Sequence, residues 1–314
     1  MAHGTGGDIG RVRALLRERF GGEVTEVRPL AGGEFSRAFA FAAGGRAYVV
    51  RLGAFVHAAE AFAKDDYAWR HFAAPALPIP RVVATGRSGD DHFAISERVA
   101  GERLEALTPA ARRALLPALL DAVDAIGRAD VRASWGYGPW GSDGHGAYRS
   151  WRDYLAAIIE NTGEGFYRDW HALFRDSFLE RDVYEAIYRR LLRLVVHCPE
   201  DRALIHGDLH SDNILTDGRR ITGVIDWANA CYGDPLYDVA WLGWWFGKGG
   251  NRGDVAPLLE RWGAVPGHDE RIACYECHFG LDDLRFYAKT GRRVEYAWTR
   301  DRLLARLAGD GGGA

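Results

Sequence analysis

The sequence has little cysteine and no long uncharged apolar run. Four cysteines in 314 residues are too few for a disulfide framework. Cys274 and Cys277 have zinc-like spacing, but no second pair accompanies them to complete a site. No stretch reaches the roughly 18 apolar residues that a transmembrane helix requires, and the N-terminus lacks the apolar core of a signal peptide. We therefore expect a protein of the reducing cytoplasm with no membrane partner.

An excess of basic residues is also missing. The chain has 40 Lys and Arg against 43 Asp and Glu, which gives a formal net charge of −3. It therefore lacks the basic surface by which proteins bind nucleic acid or anionic lipid. Hydrophobic residues make up 47% of the chain and charged residues 26%, as in an ordinary globular enzyme. The slight acidity would suit a cationic substrate, and we expect the protein to be a monomer.

Residue periodicity divides the chain into a strand-rich part and a helical part. Strand-like runs separated by glycine pairs fill most of the first hundred residues, and one helical segment, Glu60–Phe72, interrupts them. From Pro109 the pattern is mostly helical, apart from a strand–loop–strand block at residues 203–226. The predicted fold is α+β and two-lobed, with a sheet-rich lobe of residues 1–100 and a helical lobe of residues 101–314.

The most informative segment is His206-Gly-Asp-Leu-His-Ser-Asp-Asn213, which is followed by Ile225-Asp-Trp227. Phosphoryl transfer needs a carboxylate to orient the attacking hydroxyl and hard oxygen ligands for Mg²⁺ at the phosphates. Asp208 and Asn213 have the Asp-to-Asn spacing of a kinase catalytic loop, and Asp226 ends an apolar strand further on. An ordinary polar turn would not require buried strands on both sides. The order and spacing therefore predict a kinase active site.

These motifs resemble those of the aminoglycoside phosphotransferase family. Shorter similar stretches extend the resemblance over most of the chain: Gly33–Phe41, Tyr67–Ala73, Ala76–Pro80, Ser150–Asp153 and Gly280–Asp282. The resemblance implies a protein-kinase-like fold, in which the sheet-rich lobe binds the nucleotide and the helical lobe carries catalysis and the acceptor. It further implies that Asp208 is the catalytic base, that Asn213 and Asp226 bind Mg²⁺, and that His206 braces the loop.

The resemblance also implies a site for ATP or GTP in the sheet-rich lobe. A glycine turn between two strands lets backbone N–H groups approach phosphates closely. The strand-like link that begins at residue 92 resembles the hinge that contacts a nucleotide base. Taken alone, these segments are an ordinary hairpin and an ordinary edge strand. The expected contacts are Gly32, Gly33 and Ser36 in the turn and Glu97 and Val99 in the hinge.

The third strand departs from the family pattern. The family places a lysine there, paired with a glutamate on the next helix, whereas this chain has Arg51 and offers Asp65, with Asp66 as second choice. A guanidinium binds phosphate and carboxylate in fork geometry, so we expect Arg51 and Asp65 to serve the nucleotide. A surface salt bridge is the plainer interpretation of Asp65. The missing lysine also leaves open a catalytically silent, nucleotide-binding pseudokinase.

The acceptor is expected to be an aminoglycoside, because the family binds cationic aminocyclitol sugars in an acidic cleft. The resemblance is greatest to the hygromycin branch, which implies hygromycin B; a macrolide, an amino sugar or a metabolite stays open. Glu276, Phe279 and Asp283 fall on one face of a predicted helix near Gly280, by three- and four-residue spacing, although a lone acid is more often merely solvated. The expected acceptor contacts are Asn229, Glu276, Asp282 and Asp283.

Overall fold

The chain folds into two compact units in the computed structural model, which describes residues 5–31, 35–246 and 265–310. The first unit comprises Met1–Ala118 and Ser211–Ala228, and the second comprises Leu119–His210 and Asn229–Ala314. The first is rich in strands and the second is mostly helical, so the predicted α+β class is confirmed. No helix in the described part of the chain has the length and apolar character to cross a membrane.

A five-stranded antiparallel sheet forms the centre of the first unit. Its strands are β1 (Thr25–Leu30), β2 (Arg37–Ala43), β3 (Arg46–Gly53), β4 (Val82–Ser88) and β5 (Asp91–Glu97), in the order β1-β2-β3-β5-β4. Two helices, α1 (Thr5–Phe20) and α2 (Ala58–Phe72), belong to the same unit. Val12, Leu15 and Leu16 lie on one face of α1 and pack with Phe41 and Val50 of the sheet.

A second, three-stranded sheet explains why a late segment belongs to the first unit. It consists of β6 (Glu102–Arg103), β10 (Ile214–Thr216) and β11 (Ile221–Val224), in the order β11-β10-β6. Helix α3 (Pro109–Ala114) follows β6, and α4 (Leu116–Gly127) continues into the second unit. The first unit thus extends to residue 118 and includes residues 211–228. The division of the chain into functional lobes between residues 100 and 101 is a separate point and stays a prediction.

The second unit combines helices with a four-stranded sheet. The strands are β7 (Tyr137–Trp140), β8 (Gly146–Tyr148), β9 (Ala203–Ile205) and β12 (Cys231–Gly233), in the order β8-β7-β12-β9. The helices are α5 (Trp151–Ala156), α6 (Leu173–Asp176), α7 (Arg181–Leu194), α8 (Leu236–Phe246), α9 (His268–Thr290) and α10 (Arg293–Asp310). Trp244 of α8 is fully buried, with its ring 5.3 Å from Phe279 of α9 and 5.7 Å from Trp298 of α10.

Candidate active site

Strand β3 and helix α2 bring Arg51 and Asp65 together in the first unit. Nη2 of Arg51 donates to Oδ2 of Asp65, and Nη1 lies 3.6 Å from Oδ1 of Asp226. Although burial acts to lower it, the pKa of Arg51 is raised by the carboxylates of Asp65 and Asp226, so the guanidinium stays charged. The neighbouring Asp66 instead pairs with Arg70 on the surface of α2, at 2.8 Å. The structure therefore pairs Arg51 with Asp65.

Strands β10 and β11 place Asn213 and Asp226 at the same end of one antiparallel pair. Ile214 lies opposite Val224, and the N–H of Ile225 donates to the backbone carbonyl of Asn213 at 3.0 Å. The side chain of Asp226 is 45% exposed. Amide and carboxylate oxygens are ligands that Mg²⁺ prefers, so these residue types fit the ion.

Asn213 and Asp226 offer one amide and one carboxylate to a cation. Among the described residues, no group of three or more His, Cys, Asp or Glu side chains is arranged to hold a metal ion. Mg²⁺ in phosphoryl-transfer enzymes is held by one or two carboxylates together with substrate phosphates. Asn213 and Asp226 thus fit an ion whose remaining ligands come from a phosphate group.

The loop that carries Asp208 is held by Asp238 of α8 in the second unit. The two carboxylate oxygens of Asp238 accept the N–H groups of His206 and Gly207 at 2.7 and 2.9 Å. Burial raises the pKa of Asp238 to about 7, although the two N–H groups act in the opposite direction. His206 is fully buried, and its Nδ1 accepts the N–H of Asp208 at 3.3 Å. These contacts place His206 as a brace of the loop.

Asp208 combines a fixed backbone with an accessible carboxylate. Gly207, directly before it, has φ +78°, and a Cβ at that position would lie 2.3 Å from the carbonyl oxygen of Asn229. Only glycine fits this turn without a shift of the backbone. The Asp208 side chain is 24% exposed, and Nε2 of His210 lies 3.6 Å from its Oδ1. A general base must reach a substrate hydroxyl in this way while its own position stays constrained.

The remaining predicted nucleotide contacts lie in the first unit. Outside the described residues lie Gly32 and Gly33 of the predicted glycine turn. Ser36 directly precedes β2, and Glu97 is the last residue of β5. Val99 packs next to β11, because Gly223 leaves room where a Cβ would come within 3.2 Å of the Val99 side chain. These positions stay predictions, since base contacts of a hinge are made by backbone groups that any residue supplies.

Two of the predicted acceptor residues are occupied by contacts within the helical unit. Glu276 is buried, accepts a hydrogen bond from Arg306 at 2.9 Å, and lies 3.6 Å from Arg302. Asp283 is also buried and accepts the indole N–H of Trp244 at 3.4 Å. Both acids thus have partners that balance their charge or satisfy their oxygens, and these partners connect α9 with α8 and α10.

Asp282 and Asn229 are the more accessible of the four predicted acceptor residues. The side chain of Asp282 is 42% exposed, and Nε and Nη2 of Arg285 both donate to its Oδ1, at 2.9 and 2.6 Å. The Arg285 guanidinium lies 3.8 Å from the ring centre of Tyr167. Arg285 and Tyr167 were not predicted from the sequence. The three-residue spacing of Asp282 and Arg285 could have predicted their ion pair on one helix face.

One turn before Asp282, helix α9 buries a neutral histidine. His278 is 3% exposed, and its Nδ1 lies 3.1 Å from the hydroxyl of Tyr237. Burial lowers the pKa of His278 to about 4; Asp282 acts in the opposite direction, and Arg285 reinforces the shift. Because an unfolded histidine titrates near pH 6.5, unfolding takes up a proton between about pH 6.5 and 4. The stabilising contribution of the neutral ring is therefore present above that range and is lost as pH falls.

Acidification should thus destabilise the wild-type protein more than His278→Gln. Between pH 7 and pH 5 we expect the free energy of unfolding to fall by about 2 kcal/mol more in the wild type. Urea denaturation at both pH values measures the difference. Asp238 titrates in the opposite sense, but equally in both proteins, so it cancels. Parallel pH profiles for the two proteins would show that His278 is not held neutral.

Removal of the Arg51 cation should weaken use of the nucleotide. We expect Arg51→Ala to lower kcat/KM for the nucleotide by about tenfold or more, since charge-assisted hydrogen bonds have that worth. Arg51→Lys should keep part of the activity, because it retains the charge without the fork. Arg37→Ala is the matched control, since Arg37 on β2 is an arginine of the same sheet that pairs with Asp91, at 2.6 Å. Wild-type kinetics in Arg51→Ala would assign the role to another cation.

Comparison with known proteins adds to this geometry. Residues 26–274 match the model of the phosphotransferase enzyme family. Hygromycin-B 4-O-kinase of Escherichia coli is 35% identical over 295 residues, which cover 93% of this chain and 83% of that protein. Homoserine kinase of Pseudomonas aeruginosa is 54% identical over 39 residues, 12% of each chain.

A solved structure shows the same similarity in three dimensions. It is that of a thermostable mutant of aminoglycoside phosphotransferase APH(4)-Ia, in a ternary complex with AMP-PNP and hygromycin B. The two folds agree with a TM-score of 0.83 at 35% identity, over 96% of this chain and 99% of the other. The kinase-like fold predicted from the sequence is therefore confirmed.

Proposed function

We propose that this chain, which belongs to the phosphotransferase enzyme family, transfers the γ-phosphate of ATP or GTP to a hydroxyl of an aminoglycoside, with hygromycin B as the leading acceptor. The family resemblance predicted from the motifs is confirmed. One observation carries the choice of acceptor: the similarity to a hygromycin-B kinase covers 93% of this chain, whereas the similarity to homoserine kinases covers 12% of it for the Pseudomonas aeruginosa protein and 30% for the Rhizobium meliloti protein. A shared catalytic loop alone would not distinguish acceptors.

Asp208 is the proposed catalytic base. Its carboxylate accepts a hydrogen bond from the acceptor hydroxyl and orients the oxygen. It receives the proton as the bond from this oxygen to the γ-phosphorus forms and the bond from the γ-phosphorus to the departing nucleoside diphosphate breaks. His206 and Asp238 hold the loop through the contacts described above. Because they bind its backbone N–H groups, they constrain the position of Asp208 without occupying its carboxylate.

Charge on the nucleotide is balanced by groups of the first unit. Arg51 offers a permanent cation to the phosphates, and Asp65 orients it. Asn213 and Asp226 would hold Mg²⁺, which when bound neutralises charge on the phosphate oxygens. The carbonyl of Glu97 and the N–H of Val99 are the proposed contacts to the base. Ser36 and the glycine turn, Gly32 and Gly33, are the proposed contacts to the phosphates.

The acceptor is proposed to meet Asp282 and Asn229 first. Hygromycin B is a cationic sugar compound, so a carboxylate can hold an ammonium group by charge-assisted hydrogen bonds. Both Arg285 contacts are made to Oδ1 of Asp282, and the side chain is 42% exposed, so its carboxylate stays within reach of a ligand. Glu276 and Asp283, predicted as direct contacts, are instead proposed to hold α9 against its neighbouring helices, because their partners lie there.

Neutralising Asp282 should affect the antibiotic and spare the nucleotide. We expect Asp282→Asn to raise KM for hygromycin B by about tenfold, with KM for ATP nearly unchanged, since one charged contact is lost only on the acceptor side. Glu276→Gln is the matched control on the same helix. It should lower thermal stability and leave both KM values close to wild type, because its partners are Arg302 and Arg306. Equal effects of the two substitutions on antibiotic KM would contradict this division of roles.

A phosphotransfer assay tests the function itself. Purified protein with Mg²⁺ and γ-labelled ATP or GTP should label hygromycin B, and should label kanamycin or a macrolide far less. In bacteria, its expression should raise resistance in the same order. Labelling of another compound instead of hygromycin B would support the proposed kinase activity and refute hygromycin B as the acceptor. Nucleotide binding without transfer to any hydroxyl compound would favour the pseudokinase.

A further inference from the structure

We propose that Asp65 is a positioning residue for the metal-binding turn as well as the partner of Arg51. One of its oxygens orients the guanidinium, and the other holds the backbone N–H of Trp227, which keeps Asp226 directed at the ion. The sequence predicts only the pairing with Arg51. This inference rests on the proposed function, in which Asp226 is a ligand of Mg²⁺.

The two oxygens of Asp65 have different partners. Oδ2 accepts from Arg51, and Oδ1 accepts the N–H of Trp227 at 2.9 Å. Asp65 is 6% exposed and Trp227 is 1% exposed, so water cannot readily replace this contact. A hydrogen bond from N–H to a carboxylate is roughly twice as strong as a neutral one. Its loss would leave a buried donor without an acceptor, which is costly in free energy.

The backbone of Asp226 needs such an anchor. Its φ is +67°, in the left-handed region that few residues other than glycine adopt, and a strained conformation persists only where neighbouring contacts enforce it. Ile225, the residue before it, is bonded to the carbonyl of Asn213. Trp227, the residue after it, is bonded to Asp65. The turn is thus held on both sides, while the Asp226 side chain itself remains accessible.

Burial of Trp227 alone does not explain this arrangement. Its indole N–H donates to the carbonyl of Val224 at 3.2 Å, which ties the side chain back to β11. That contact joins the indole to β11, the strand that precedes Asp226. The backbone N–H of Trp227 has a different acceptor. Asp65 reaches it from helix α2, across a sequence separation of 162 residues. The metal turn and the phosphate-binding cation are therefore aligned by one carboxylate.

A pair of double variants separates the two roles. Arg51→Met first removes the cation, so that only the Trp227 contact remains for residue 65. In this background Asp65→Asn keeps an oxygen acceptor for the N–H, whereas Asp65→Leu has similar volume and no acceptor. Asp65→Ala serves if the leucine variant does not fold, as judged by thermal unfolding. Asp66→Ala is the surface control on the same helix.

Two measurements report the result. Backbone hydrogen exchange at Trp227, followed by NMR of ¹⁵N-tryptophan-labelled, metal-free protein, reads the anchor directly; Trp227→Phe identifies the signal among the 11 tryptophans. Titration of Mn²⁺ in the presence of a non-hydrolysable ATP analogue reads the ion site. Relative to the asparagine variant, we expect Asp65→Leu to speed exchange and to weaken Mn²⁺ affinity, each by about tenfold or more.

Other outcomes would overturn the inference. Equal exchange at Trp227 in the asparagine and leucine variants would show that Asp65 does not anchor the turn. Faster exchange with unchanged Mn²⁺ affinity would show that the anchor does not position the ion ligand. If the wild type binds no Mn²⁺ with nucleotide, the proposed function fails and removes the basis of the inference. That result is distinguishable, because it is seen before any substitution is made.

Discussion

Asp208→Ala is expected to lower kcat by about 10²-fold or more, because general-base catalysis contributes at that scale. KM for the nucleotide should stay near the wild-type value, since no proposed contact to ATP involves this side chain. The fold should also persist, because Asp238 and His206 bind the backbone of the loop rather than the carboxylate of Asp208. Steady-state kinetics with hygromycin B and ATP, together with thermal unfolding, would measure these quantities.

Asp212→Ala is the matched control for this substitution. Asp212 belongs to the same loop sequence and is 47% exposed, and it lies 3.6 Å from Arg103 at the surface. A surface ion pair of this kind contributes at most about 1 kcal/mol, so kcat should change little. Near-normal turnover by a well-folded Asp208→Ala variant would exclude Asp208 as the base. A comparable loss in Asp212→Ala would point to a general disturbance of the loop.

Gly207→Ala adds one methyl group to the loop that carries Asp208, and it should strongly destabilise the fold. The φ of +78° strains any side chain, and the new Cβ would meet the Asn229 carbonyl oxygen at 2.3 Å. Backbone atoms cannot swing aside as side chains do, so we expect the free energy of unfolding to fall by about 3 kcal/mol or more. Turnover should also fall, since the residue lies next to Asp208.

Gly218→Ala separates the two causes of this effect. Gly218 has a similar φ of +87°, but nothing lies within 4 Å of an added Cβ there. Only the backbone strain then remains, about 1 kcal/mol, and activity should be retained. Urea denaturation of both variants gives the comparison. Equal destabilisation would mean that the close approach of Asn229 relaxes at no cost.

Local patterns predicted those parts of the protein that depend on local physics. Apolar periodicity placed a run of strands in the first hundred residues and located α2 to within a few residues, because each of these elements buries one face. The pairing of Arg51 with a carboxylate on α2 was also predictable, since it requires only the chain order of strand and helix. Asp65 rather than Asp66 makes the contact because it lies on the buried face of α2.

Contacts between residues far apart in the sequence determine the features that local patterns could not predict. Glu276 and Asp282 look alike as acids on one helix, yet Glu276 is bonded to Arg306 on α10 and Asp282 remains partly exposed. No local spacing reveals a partner on another helix. The contact from Asp65 to Trp227 is harder still to foresee, because a backbone N–H is the same for every residue type except proline. Pairing of β10 with β6 likewise joins residues far apart in sequence.

The arginine at position 51 also determines which reagents can label the proposed nucleotide site. A lysine in a buried site can lose its proton and react with acylating agents, whereas a guanidinium remains protonated and unreactive toward them at neutral pH. The carboxylates of Asp65 and Asp226 raise the pKa of Arg51 further. Amine-directed nucleotide analogues should therefore fail to attach at this strand. An arginine-selective dicarbonyl such as phenylglyoxal reacts with the small unprotonated fraction, so it should attach there slowly, and bound nucleotide should slow its reaction further.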